Sequence, residues 1–196
     1  QAEQKIKQQA EREHLLLETT QRIRQSLDLA TIFNTGVEET RQFINADRVA
    51  IFKFYPSSNF NDGEFVSESV ATGFKSALET KIHDHCFGEQ YAIYYQQGRI
   101  QVIDDIDNAG LTDCHHDVLA QFQIRSKLVV PLIQGELLWG LLCMHQCSAP
   151  RHWESCEIEL VQQIANQLAI SIQRSRLYNQ LQSEPIIRNE AEEAIL

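Results

Sequence analysis

The 196-residue sequence contains no apolar run close to the roughly 20 residues that cross a bilayer. It also has no basic-then-apolar leader, so we expect no secretion signal. Basic residues are few: 17 Lys and Arg stand against 27 Asp and Glu, which gives a formal net charge of −10. Such a chain repels phosphate backbones and anionic lipid headgroups, so we expect neither nucleic-acid nor membrane binding.

Paired cysteine motifs are missing as well. There are five cysteines, an odd number, and none is spaced Cys-x-x-Cys. This does not suit a secreted disulfide framework, so we expect a reducing, cytoplasmic location with thiols available for chemistry. A Gly-rich phosphate loop and a nucleophile-elbow motif are also absent, which disfavours hydrolases and transferases.

The hydrophobic content of 43% is enough for one domain with a full core and helical extensions. Gly and Pro are absent before Gly36, and residues 1–27 predict a long amphipathic helix. Its apolar positions follow coiled-coil spacing, which suits a dimer-forming helix and a single packed face equally well. Ser26 or Asp28 is expected to cap a second helix over Leu29 to Asn45.

Two β-hairpins are predicted. Arg48–Tyr55 is rich in β-branched and aromatic residues, Glu64–Ala71 has the alternation of a returning strand, and the two flank a loop of turn residues. Lys127–Gln134 and Leu137–Gln146 flank Gly135-Glu136, which predicts a type II′ turn between two apolar, central strands.

The remaining segments are a short strand, a short helix and a long helix. The strand is predicted over Arg99–Ile103, and the short helix over Cys114–Gln123 with Asp113 as its cap. The long helix is predicted from Trp153 to about Ser183, where Pro185 interrupts it and leaves room for a further helix.

This order of elements predicts an α+β fold. We expect a central antiparallel sheet of about five or six strands, flanked by helices, with long helices at both ends. The expected division is a linker or coiled-coil helix at 1–28, a globular domain at 29–181, and a linker at 182–196 that leads to a downstream domain.

Two short stretches hold most of the chemically reactive side chains: His83-Asp84-His85-Cys86 and Cys114-His115-His116. Cys and His are common zinc ligands, but adjacent residues on a helix point in different directions and seldom reach one ion together. On composition alone, both cysteines also suit small buried core residues. The stretch 72–99 around the first cluster has no clear period, and long irregular segments are often functional.

The sequence resembles the GAF domains of cyanobacteriochromes, relatives of phytochromes, from about Leu29 to Leu181. The resemblance rests on an ordered set of motifs. They include Asp47-Arg48-Val49-Ala50-Ile51-Phe52-Lys53-Phe54, Gly63-Glu64-Phe65-Val66-Ser67, Ala109-Gly110-Leu111-Thr112 before Cys114-His115, and Leu138-Trp139-Gly140-Leu141-Leu142. Asp84-His85-Cys86-Phe87 matches the Asp-x-Cys-Phe motif of one cyanobacteriochrome subgroup.

The resemblance implies that a linear tetrapyrrole (bilin) is bound, as phycocyanobilin or its isomer phycoviolobilin. Cys114 is implied as the permanent thioether attachment site, and Cys86 as a second, reversible attachment at the central methine bridge. His115 is expected against the tetrapyrrole face, and Asp84 is expected to accept hydrogen bonds from pyrrole N–H groups.

Further chromophore contacts are expected by the same resemblance. His145 would face ring D, while Lys53 and Arg99 are candidates for the bilin propionates. The other expected contacts are Phe87, Tyr94 or Tyr95, and His116. His116 departs from the family, which usually has an apolar residue there, and the Trp of the red/green subgroup is absent from the irregular segment.

The function implied is a photoreceptor sensor domain that signals to an output domain through its terminal helices, which are expected to form a homodimer. No turnover enzyme, catalytic residue or metal site is expected beyond autocatalytic bilin attachment and isomerisation. The alternatives are a GAF sensor of a small ligand such as a cyclic nucleotide, and a thiol or metal redox sensor.

Overall fold

The computed structural model describes residues 2–78, 80–84, 87–88 and 91–193, without the side chains at 2, 5, 8 and 184–193. The helices are α1 (Ala2–Gln25), α2 (Leu29–Ile44), α3 (Ala92–Gln96), α4 (Asp113–Gln121) and α5 (Ser155–Glu193). The strands are β1 (Arg48–Phe54), β2 (Asp62–Val70), β3 (Lys81–His83), β4 (Gln101–Ile103), β5 (Ser126–Gln134) and β6 (Leu137–Gln146). A short 3-10 helix spans Ile106–Asn108.

The strands form a six-stranded sheet in the order β3-β2-β1-β6-β5-β4, and each neighbouring pair is antiparallel. The predicted α+β fold, with its antiparallel sheet and flanking helices, is therefore confirmed. The two strands predicted to be central, β5 and β6, both lie inside the sheet. Gly135 in the turn between them has a φ of +63°, which glycine adopts without steric cost.

Alternation along the strands divides the core between the two faces of the sheet. In β1, Val49 and Ile51 pack with α1, α2 and α5, whereas Ala50, Phe52 and Phe54 pack into a separate cluster on the opposite face. The long helices thus cover one face, and the irregular segments with α3 and α4 cover the other.

Helix starts differ from expectation in one place. Asp28 caps α2 as predicted, because its side chain accepts a hydrogen bond from the Thr31 N–H. Asp113, however, is the first residue inside α4 and not its cap. The cap is Thr112, which has extended backbone angles and makes no capping hydrogen bond through its side chain.

Other corrections concern irregular and terminal segments. The stretch 72–99 contains β3 and α3, which are too short to show a period in sequence. The helix predicted to stop near Ser183 continues through Pro185 to Glu193. Proline removes one backbone donor and favours a kink, but helix-forming neighbours on both sides can continue the helix beyond it. Among the described residues, no helix is both long and apolar enough to span a bilayer.

Arg48 at the start of β1 is fully buried and joins several segments on the pocket side of the sheet. Its Nε lies 3.4 Å from the buried Glu68 carboxylate. Its Nη atoms donate to the carbonyl of Phe122, just after α4, at 3.0 Å and to that of Lys75 at 2.6 Å. One side chain therefore ties the end of α4 and the loop after β2 to the sheet.

We predict that Arg48→Met lowers the free energy of unfolding by about 3–5 kcal/mol, because it leaves the Glu68 carboxylate buried without its cation. Urea denaturation measures the change. The control is Arg125→Met, which removes an exposed ion pair with Asp107 and should cost about 0–1 kcal/mol. Equal losses in the two variants would contradict a structural role for Arg48.

Candidate functional site

An open pocket lies on the face of the sheet opposite α1, α2 and α5. Most of its wall is apolar and rich in aromatic rings, among them Phe52, Phe54, Phe65, Phe87, Tyr95 and Phe122. A few polar side chains interrupt this wall: Asn61, Asp84, His115, Lys127 and His145. An apolar cavity with a small number of polar groups is typical of a ligand site.

Asp84 follows β3 directly and is held in place by backbone contacts. Its N–H donates to the Asn61 carbonyl at 2.7 Å, and its Oδ1 accepts from the Phe87 N–H at 3.0 Å. Its Oδ2 lies 2.5 Å from His115 Nδ1. The structure therefore brings together two predicted site residues that are 31 positions apart in the sequence.

Cys114 and His115 lie in the first turn of α4, as the sequence predicts. His115 is buried, while Cys114 is half-buried with its sulfur 3.7 Å from the Thr112 hydroxyl. Cys114 is disulfide-bonded in this structure, so its sulfur has to be reduced before it can act as a nucleophile. The three cysteines not expected at the site are free; Cys143 and Cys147 are buried and Cys156 is exposed.

Lys127 at the start of β5 is a pocket residue that the sequence analysis missed. Only 3% of it is exposed, and its Nζ lies 2.9 Å from His115 Nε2. Asp84, His115 and Lys127 thus form a continuous hydrogen-bonded chain. The available signal was a lone cation in a strand that is otherwise almost entirely apolar.

Charge and burial oppose each other along this chain. Burial alone would raise the pKa of the Asp84 carboxyl, but its hydrogen bond to His115, the Phe87 N–H and the Lys127 charge outweigh burial and lower it. Burial lowers the pKa of His115, and the Lys127 charge lowers it further against the opposing effect of Asp84. Burial lowers the pKa of Lys127 to about 8. At neutral pH these directions give a carboxylate, a neutral imidazole and an ammonium group.

His145 pairs with Lys127 on one side and with Arg48 on the other, in register across β5, β6 and β1. Burial, together with these two cations, keeps the pKa of His145 well below its ordinary value. Its Nδ1 is buried without a hydrogen-bond partner in the described part of the chain, and so is the Oδ1 of Asn61. Since such atoms are normally paired, both are available to a polar ligand group.

The two candidate tyrosines of α3 are placed differently. Tyr95 lines the pocket, stacks on Phe87 at 5.3 Å between ring centroids, and donates its hydroxyl to Gln101. Tyr94 is 47% exposed and carries the Arg99 guanidinium over its ring. Phe87 therefore lies in the pocket wall with Tyr95, whereas Arg99 and Tyr94 lie outside it.

Two further predicted contacts also lie elsewhere. Lys53 is two residues after Ile51 and four after Val49, so its side chain lies on the same, helix-covered face of β1. That face is away from the pocket lining. His116 points to Asp107 of the 3-10 helix, with 3.1 Å between Nε2 and Oδ1.

The second predicted attachment site, Cys86, lies outside the described residues, as does His85. Within the described ranges, no three His, Cys, Asp or Glu side chains are grouped so that they could hold a metal ion.

Comparison with known proteins agrees with this architecture. A family model described as the GAF domain matches residues 28–172, so the chain belongs to the GAF domain family. Within that family it groups with the GAF domains of cyanobacteriochromes.

Three solved structures support this grouping. The cyanobacteriochrome receptor PixJ, solved in dark and illuminated states, is 39% identical with a TM-score of 0.70, over 75% of this chain and 96% of that one. The blue-light-absorbing form of the Thermosynechococcus elongatus PixJ GAF domain is 38% identical with a TM-score of 0.72, over 83% and 94%. A far-red-absorbing dark state with bound biliverdin IXa is 35% identical with a TM-score of 0.75, over 83% and 99%.

A longer relative is found in Synechocystis sp. PCC 6803 and is named as a methyl-accepting chemotaxis protein. It is 37% identical over 177 residues, which are 90% of this chain. The chain spans only 17% of that relative's length.

We predict that Asp84→Asn lowers the free energy of unfolding by about 2–3 kcal/mol, because Lys127 loses its buried counter-charge and His115 keeps only a weaker acceptor. Urea denaturation at neutral pH checks this. Asp104→Asn is the matched control, since the Asp104 carboxylate pairs with the exposed His152 at the surface. If Asp84→Asn lowered the free energy of unfolding no more than the control does, the hydrogen-bonded chain of Asp84, His115 and Lys127 would contribute nothing to stability.

Proposed function

We propose that this domain is a light sensor that holds a bilin in the pocket, covalently linked through Cys114. The observation that carries the proposal is the position of Cys114 directly before His115, whose imidazole reaches into the pocket and contacts Asp84. The solved relative with bound biliverdin supports it.

The lining of the pocket suits such a molecule, because it is mostly apolar with a few polar side chains. The aromatic wall suits flat pyrrole rings, which pack well against other rings. The unpartnered His145 Nδ1 and Asn61 Oδ1 supply a hydrogen-bond partner each for the polar edge of the molecule.

Attachment requires a nucleophile and nothing else from the protein. The Cys114 thiolate adds to a carbon–carbon double bond of the ring A side chain. A carbon–sulfur bond forms, a proton is taken up by the neighbouring carbon, and no group leaves. The amino-terminal end of α4 favours the thiolate because of its partial positive charge. We propose no turnover reaction beyond this attachment and an autocatalytic bilin isomerisation.

The remaining residues orient the molecule and hold its protons. His115 would lie against the tetrapyrrole face, and Asp84 would accept hydrogen bonds from pyrrole N–H groups. His145 would face ring D, with Phe87 and Tyr95 in the wall. When bound, the bilin supplies light-driven rotation of ring D about the last methine bridge.

The finer assignments are phycocyanobilin as the chromophore, with conversion to phycoviolobilin, and Cys86 as the reversible second thioether. A bond from Cys86 to the central methine bridge would interrupt conjugation between rings B and C and give a blue-absorbing form. The blue-light-absorbing PixJ relative supports this assignment.

The signal would leave through the terminal helices, in a homodimer, to an output domain of the kind found in long signalling relatives. The switch is then a two-state element that the chromophore biases. The rival functions are a small-ligand GAF sensor, which needs no reactive cysteine, and a thiol or metal sensor, which needs no pigment.

We predict that Cys114→Ala abolishes covalent pigment. The protein is made together with bilin-synthesis enzymes, reduced, denatured and separated on a gel, where the wild type should give a coloured band. Cys156→Ala, which removes an exposed free thiol, is the control and should keep the band. A wild type without covalent colour would exclude the photoreceptor function, and loss of absorbance on zinc chelation would favour the metal sensor.

We predict that Cys86→Ala keeps the covalent band but loses the short-wavelength form, because conjugation across the central bridge can no longer be interrupted. Absorption spectra before and after illumination measure this. The control is Cys147→Ala, which removes a buried cysteine that does not line the pocket. Survival of the short-wavelength form in Cys86→Ala would exclude the second linkage.

A further inference from the structure

Lys127 has no role in the function proposed above, although it lies in the pocket wall and is almost completely buried. An ammonium group is seldom buried without a partner, because removing it from water is costly. Here its nearest polar neighbour is a neutral imidazole nitrogen, His115 Nε2, at 2.9 Å.

The donors and acceptors of the three side chains determine which atom donates in each of the two hydrogen bonds. Lys127 as an ammonium group can only donate, so His115 Nε2 must accept. Nδ1 then carries the imidazole proton and donates it to the Asp84 carboxylate, which can only accept. The Lys127 charge therefore selects one tautomer of His115 and adds to burial in keeping the ring neutral.

The other titratable groups facing Lys127 do not contribute charge. Burial raises the pKa of Cys143 to about 12 and raises that of Tyr95, so both stay neutral. His145 on β6 is neutral as well. Arg48 on β1 is compensated by Glu68. What remains is Asp84 against Lys127, with a net charge of zero.

We infer that Lys127 controls the protonation of the bound bilin: its ammonium group adds to burial in keeping His115 neutral and already compensates the Asp84 carboxylate through that ring, so it competes with a cationic tetrapyrrole. The inference rests on the proposed function. While Lys127 keeps its proton, a protonated bilin gives the pocket a net charge of +1. Once Lys127 has released its proton, the same bilin gives a net charge of zero. Lys127, with a pKa lowered to about 8 by burial, releases that proton within an accessible pH range.

The first test needs no chromophore. The reduced apoprotein is titrated by nitrogen-detected NMR as the wild type, Lys127→Met and Lys81→Met, with His115 assigned from a His115→Gln variant. Lys81 is an exposed cation on β3 and serves as the control. Lys127→Met should raise the pKa of His115 by about one unit or more, because a neighbouring positive charge is removed while Asp84 stays. Lys81→Met should leave it unchanged.

The second test uses the pigmented protein. Absorbance against pH gives the point at which the bilin loses its proton. Lys127→Met should move that point upward by about one pH unit, since the bilin cation then faces Asp84 alone. Lys127→Gln should behave in the same way, and circular dichroism melts verify that each variant is folded.

The outcomes are separable. If the wild type forms no covalent pigment, the proposed function fails, whatever the apoprotein shows. If pigment forms but Lys127→Met and Lys127→Gln titrate like the wild type, this inference fails and the proposed function stands. An unchanged pKa of His115 in the apoprotein would likewise overturn the inference, because Lys127 would then not govern the imidazole.

Discussion

The hydrogen-bonded chain from Asp84 through His115 to Lys127 joins three segments that are far apart in sequence: the end of β3, the first turn of α4 and the start of β5. The Asp84 carboxylate and the Lys127 ammonium group compensate each other's charge. Each also makes a hydrogen bond to the neutral His115 imidazole, which is buried between them. Removal of either charge leaves the other uncompensated in a dry environment. The position of Asp84 at the end of β3 therefore depends on polar contacts across the pocket.

A second row of polar residues runs across the sheet itself. Lys127, His145 and Arg48 pair in register on β5, β6 and β1, and their side chains share the face that carries the pocket. Burial, with a cation on each side, keeps the His145 ring neutral, so its unpartnered Nδ1 can donate or accept as a ligand requires. The wall of the pocket is thus mostly apolar, with its polar groups gathered around Lys127 and His145, which suits a flat molecule with polar groups at its edge.

Much of this could be predicted from the sequence, because strong local patterns fix the two hairpins, the Asp28 cap and the position of Cys114-His115 at a helix start. The pairing of Lys127 with His145 could not, since the register between β5 and β6 shifts near Leu132. Counting back from the Gly135-Glu136 turn pairs Lys127 with Met144, whereas the shift pairs it with His145. Lys53 is a different case: the family resemblance suggests a contact with a propionate, whereas strand alternation places its side chain on the helix-covered face.

The sheet also separates the pocket from α1 and α5, so any signal that leaves through the terminal helices has to pass through the strands or around their ends. One described contact lies on such a path. The Trp153 indole, just before α5, donates to the hydroxyl of Ser126 at 2.8 Å, and Ser126 is the neighbour of Lys127 in β5. Because successive residues of a strand face opposite sides, Lys127 faces the pocket while the adjacent Ser126 holds the start of α5 from the same piece of backbone. The hydrogen-bonded chain of the pocket and the start of α5 therefore meet at the same end of β5.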